Sequence, residues 1–97
     1  MEKHNWTETD DLAALYVYRF GHHRIAGSLS GLAESLDIGA GSFRMRIQNF
    51  KAIHTDGGLS NNAQQSARVY QRYRETTEPQ LRTILLSAFE SAGVRLR

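Results

Sequence analysis

The sequence predicts an all-α protein, a compact bundle of about five helices that contains a helix-turn-helix. Three observations carry this. Apolar residues recur at three- and four-residue spacing, no alternating β-branched run interrupts that pattern, and a serine or threonine able to cap a helix stands ahead of each periodic segment. With 97 residues there is room for one hydrophobic core, so a single domain over residues 1–97 is expected.

The first helix is predicted over residues 8–20. Thr7 is its N-cap, Glu8, Asp10 and Asp11 place negative charge at the positive end of the helix dipole, and Gly21 offers a left-handed closing residue. Leu12, Leu15, Tyr16 and Arg19 fall on one side, with Trp6 placed to staple onto the helix start. The second helix, residues 29–36, is capped by Ser28 and carries Leu29, Leu32, Ala33 and Leu36 on one face. Residues 37–41 hold two glycines and read as a tight glycine turn.

Ser42 is then expected to cap a third helix over residues 43–53. Phe43, Ile47 and Phe50 recur at i, i+4 and i+7 and face the core, with Ile53 nearby. The opposite arc carries Arg44, Gln48, Asn49 and Lys51, and Arg46 lies at the border between the two faces. Residues 54–59, with paired glycines, read as a loop. A fourth helix capped by Ser60 spans 61–75, with Ala63, Ala67, Tyr70 and Arg74 on one face, Val69 and Tyr73 widening it, and Arg68 and Arg72 forming a basic ridge. The fifth helix, 78–92, follows Thr77, tolerates Pro79 in its first turn, shows an apolar stripe of Leu81, Ile84, Leu85, Ala88, Phe89 and Ala92, and closes at Gly93.

Composition removes several function classes. Cysteine is absent, which excludes a disulfide scaffold and thiolate-ligated zinc modules. The polar, acidic N-terminus lacks the pattern of a secretion signal and no run is long enough to span a bilayer, so a cytoplasmic protein without membrane partners is expected. The four histidines have no metal-ligand spacing, since adjacent His22 and His23 would point to different faces of any regular element. No phosphate-cradling glycine loop or nucleophile elbow is present, and the reading is of a protein that is not an enzyme and needs no cofactor.

Charge points the other way, toward a polyanion. The net charge is only +2, but residues 1–37 hold three Lys/Arg against six Asp/Glu, whereas residues 38–97 hold nine against four. No acidic residue occurs from 38 to 55, where Arg44, Arg46 and Lys51 lie. Arginine forks match guanine acceptors and Asn or Gln amides match adenine, so Arg44, Gln48 and Asn49 are candidates for direct readout in the major groove of double-stranded DNA. Ser42, Lys51, Arg68 and Arg72 are placed as phosphate contacts. Against this stands the plainer reading that a charged arc is a solvated face, that Asn49 serves a loop backbone, and that Tyr70 and Tyr73 are core or rim aromatics.

Three stretches in order carry a likeness to a known pattern. They are Trp6-Thr7 with the acidic residues and the LAALYVY run that ends at Tyr18, then the LAESL run from Leu32 leading to the SFRMRIQNF run from Ser42 to Phe50, then Gly58 to Asn61. Together they resemble the helical domain at the N-terminus of many bacterial HNH-type restriction endonucleases, where it precedes the nuclease and serves as a DNA-recognition module. The resemblance implies Ser42, Arg44, Arg46, Asn49 and Phe50 as functional positions, with Leu59, Ser60 and Asn61 after them. It also implies recognition without cleavage, because the chain stops where that nuclease would begin. A phage, mobile-element or restriction-associated regulator is the expected setting. The alternative from another class is a protein-interaction module, such as an anti-defence or regulatory protein docking on a nuclease or nucleoprotein. A homodimer is compatible with either.

Overall fold

Thr7 turns the chain into its first helix through a reciprocal pair of hydrogen bonds. The Asp10 amide donates to Thr7 Oγ1 at 3.1 Å, and the Thr7 amide donates to Asp10 Oδ2 at 3.0 Å. The computed structural model describes residues 5–56 and 64–96, in which five helices follow in order: α1 (Glu8–Phe20), α2 (Leu29–Ser35), α3 (Ala40–Asp56), α4 (Gln64–Tyr73) and α5 (Glu78–Ala92). No strand occurs among the described residues. The expected glycine loop at 57–59, the Ser60 cap, Asn61 and Ala63 lie outside them.

The bundle is organised around α1. Asp11, Ala13, Ala14, Leu15 and Tyr16 are all fully buried, so this helix is enclosed on every side rather than on the one side that its large apolar residues mark. The two alanines let neighbours approach, and α3, α4 and α5 all pack against it. Phe43, Phe50 and Ile53 of α3, Val69 and Tyr70 of α4, and Leu81, Leu85 and Phe89 of α5 complete the core, joined from α2 by Leu32, Ala33 and Leu36. On α5 the fully inward row is Leu81, Leu85 and Phe89, with Ala88 partly buried against the core, while Ile84 and Ala92 of the expected stripe are exposed.

The link from α2 to α3 differs from a glycine turn. Leu36 caps α2, and Asp37 takes the left-handed conformation with φ 59°. The Ile38 amide then reaches back to the Ala33 carbonyl at 2.9 Å and the Asp37 amide to Glu34 at 3.0 Å, a Schellman closure with Ile38 buried beside it. Helix α3 opens immediately after, with the Phe43 amide donating to the Gly39 carbonyl at 2.9 Å. Ser42 and Gly41 therefore sit inside the first turn, and Ser42 is not the N-cap. At its other end α3 continues through His54 to Asp56, where a loop was expected.

Two side chains of α1 hold the C-terminal half. Arg19 donates from Nη1 to the carbonyls of Tyr73, at 3.0 Å, and of Thr76, where α4 stops two residues short of the expected end. A cation at that carbonyl-rich helix end is favoured by the dipole. Tyr16 donates its hydroxyl to Glu78 at the start of α5, and Glu78 also pairs with Arg82 at 3.1 Å and Arg24 at 3.7 Å. Burial, reinforced by that carboxylate, pushes the Tyr16 phenol up to about 12. Gly21 closes α1 with φ 82° and ψ −178°, a region essentially open only to glycine but not the left-handed helical one expected.

Two outcomes follow from these links. Asp37→Val is expected to lower unfolding stability by about 1–2 kcal/mol in denaturant melts, because a β-branched residue resists a positive φ, whereas Asp37→Gly should be at least as stable as the parent. Since the folded state raises the Tyr16 pKa from 10.0 to about 12, its contribution is complete below pH 10 and is lost as pH climbs through about 12. Denaturant melts across that window should show the parent losing more stability than Tyr16→Phe; equal losses would remove this hydrogen bond as the cause.

Candidate nucleic-acid interface

The orientation of α3 is set by what it buries. Phe43 and Phe50 are fully enclosed against α1 and Ile53 nearly so, which turns Ser42, Arg44, Met45, Gln48 and Lys51 to solvent. Arg44, Gln48 and Lys51 stand at i, i+4 and i+7 and so form one row along the outer face. Among the described residues neither Arg44 nor Lys51 has an ion-pair partner. Asn49 is half-buried and lies off the row.

Arg46 belongs to the interior. Its Nε and Nη2 donate to Asp11 Oδ1 at 2.6 Å and Oδ2 at 2.8 Å, a bidentate pair in which the Asp11 side chain is 0% and the Arg46 side chain 13% exposed. Gln65 Nε2 adds a bond to Oδ2 at 2.6 Å and Ser66 Oγ one to Oδ1 at 2.9 Å, so each carboxylate oxygen accepts twice. Gln65 also donates to the Trp6 carbonyl at 3.1 Å. The Arg46 guanidinium lies over the Trp6 ring, 4.5 Å from its centroid, and Trp6 lies parallel to Phe43 at 6.4 Å. Trp6 therefore packs on α3, and Arg46, expected as a DNA contact, is withdrawn from the contact set because its Nε and Nη2 donors are occupied by a buried carboxylate.

Sequence reasoning missed Asp11 as a structural residue. A signal existed: Asp11 sits four residues before Leu15 and Arg46 stands three after Phe43 and four before Phe50, which puts both charges on core-facing rows. Opposite charges on two buried rows can satisfy each other.

Helix α4 carries a second cationic set. Arg68 and Arg72 are exposed one turn apart, and with Glu8, Gln65 and Val69 they line a small concavity of about 120 Å³ beside the start of α1. The Arg72 guanidinium lies 5.5 Å from the Tyr73 ring. No acidic residue occurs from Gln64 to Arg74. Among the described residues no hydrogen bond or ion pair joins this ridge to the row on α3, so the expected contacts fall into two sets on two helices.

A larger cleft of about 580 Å³ lies where the C-terminal ends of α1, α3 and α4 converge, lined by Tyr18, Phe20, His54, Tyr70, Arg74 and Glu75. Tyr70 and His54 Nδ1 are hydrogen-bonded at 3.0 Å, and Tyr18 meets the His54 ring at its edge. Arg19, which also lines the cleft, and Arg74 stand at the ends of α1 and α4, where the dipoles favour cations, and the mixed lining selects no one ligand class. Residues 21–28 form an irregular turn, so the His22 and His23 rings meet at 4.2 Å instead of parting to separate faces. Among the described residues no three His, Asp or Glu side chains group as metal ligands.

The division between α3 residues is measurable. Arg46→Ala strands a buried carboxylate and should cost about 3–5 kcal/mol of folding stability, whereas Arg44→Ala and Lys51→Ala, on the open face, should each stay within about 0.5 kcal/mol of the parent. Denaturant midpoints of the three variants check this, and comparable values for all three would place Arg46 with the surface residues after all. Compared with protein-family models, curated proteins and solved structures, the chain finds no match in any of the three.

Proposed function

We propose that this chain is a non-enzymatic DNA-binding module in which α2, the connection through residues 36–39 and α3 act as a helix-turn-helix, with α3 as the reading helix. The observation that carries the reading is the outward row of Arg44, Gln48 and Lys51, without ion-pair partners among the described residues and set in a stretch free of acidic residues from 38 to 55. In this reading Arg44 and Gln48 address base edges, and Lys51 and Ser42 address phosphates, with Arg68 and Arg72 adding phosphate contacts from α4. Half-buried Asn49 is a lesser contributor. The resemblance to the recognition domain of HNH-type restriction endonucleases supports a recognition or regulatory role on double-stranded DNA inside a cell, of phage, mobile-element or restriction origin.

A second reading, a protein-interaction module, rests on a separate observation. Ile84 and Leu86 of α5 are exposed, and Ile84 with Thr76, Pro79, Gln80 and Thr83 edges a shallow, largely apolar groove. That surface lies on another helix from the cationic row, and a protein partner there is compatible with DNA on α3.

The test is binding to a random-sequence duplex pool across a salt series. Affinity should fall with a log-log slope of about −0.9 per phosphate contact, and the double variant Arg44→Ala/Lys51→Ala should remove most of the binding. Absent or salt-insensitive binding overturns the reading. Stoichiometric capture of one protein partner with no retained nucleic acid favours the second.

A further inference from the structure

Met45 is the most exposed large apolar side chain among the described residues, at 71%. It stands on the outer arc of α3, next to Arg44 and one helical turn before Gln48. Packing gives no reason for a methionine there, since the inward side of α3 is filled by Phe43, Phe50 and Ile53. The turn before it is unobstructed: Gly41 and Ser42 are exposed, and a Cβ at Gly41 would meet nothing within 4 Å. A thioether thus projects from the middle of a face whose other large groups are two cations without ion-pair partners among the described residues and an amide.

Resting on the reading of α3 as the helix that enters the groove, we propose that Met45 is a specificity-determining residue that reads the 5-methyl group of a pyrimidine in the major groove. That methyl is the one apolar feature on the major-groove edge of a base pair, displayed by thymine and equally by 5-methylcytosine. Methionine is unbranched and polarizable, and adapts to such a group without demanding a fixed approach. The spacing fits. Three residues advance about 4.5 Å along the helix and successive base pairs about 3.4 Å, so Met45 and Gln48 address base pairs one or two steps apart, the amide taking adenine while the thioether takes a methyl. Charge complementarity decides the occupant of this apolar point: Arg44 and Lys51 on the same arc favour a polyanion over an apolar protein face.

The test is a methyl-deletion cycle. A duplex selected from a random pool is remade with uracil for each thymine in turn, which removes only the 5-methyl, and in a second arm with 5-methylcytosine for each cytosine. The parent, Met45→Ala and Met45→Leu are titrated at one salt concentration. One uracil position should weaken the parent about fourfold. Met45→Ala should bind the thymine duplex more weakly and be indifferent to the methyl, and Met45→Leu should keep the discrimination. If the methyl on cytosine strengthens parent binding and uracil has no effect, the reader is assigned to 5-methylcytosine. Parent affinity indifferent to the methyl in both arms, or discrimination that survives in Met45→Ala, overturns the proposal while salt-dependent binding leaves the parent reading standing. Absence of binding to any duplex removes both.

Discussion

The carboxylate of Asp11 is the constraint on which the rest of the structure depends. It is fully buried, and a bare carboxylate in such a place would be prohibitive, so its position requires that Arg46, Gln65 and Ser66 all reach it. Those three residues come from α3 and α4, which means that one ion on α1 sets the mutual register of three helices. Hydrophobic burial of Phe43, Phe50 and Ile53 is non-directional and sets the face of α3 that turns inward without fixing its orientation by bond geometry. A bidentate guanidinium pair at 2.6 and 2.8 Å does fix it. The stacked series of Arg46, Trp6 and Phe43 shields the pair on one side and ties the segment before α1 into the same cluster.

The opposite end of α1 works by the same logic with weaker groups. Arg19 satisfies two backbone carbonyls at the α4–α5 junction, and Tyr16 joins Glu78 where α5 begins. Every neighbour of α1 is thus held by apolar contact plus a directional polar bond that originates on α1. Along its enclosed length α1 supplies few polar side chains, and Asp11, Tyr16 and Arg19 each bond to a neighbouring element.

Much of this was legible in the sequence. The limits of α1 and α5 follow from Thr7, Gly21, Thr77 and Gly93, because capping residues bracket unambiguous periodic runs. The start of α3 was not, since Gly39-Ala40-Gly41 resembles a turn and Ser42 resembles a cap. The turn conformation belongs instead to Asp37, whose tolerance of positive φ is less diagnostic than that of glycine. The candidate row on α3 emerged from periodicity because exposure is a local property of a helix. Arg46 did not sort correctly for the opposite reason: its role depends on a partner thirty-five positions away, and periodicity sees only neighbours within a turn or two.

The separation of Arg46 from Arg44, Met45 and Gln48 has an evolutionary consequence. The side chains that face outward are exposed and make no hydrogen bond or ion pair among the described residues, while the residue that anchors the helix is bound to a buried carboxylate. Substitutions at the outer positions can therefore accumulate while the fold is kept, and the chemistry of that face can change one side chain at a time.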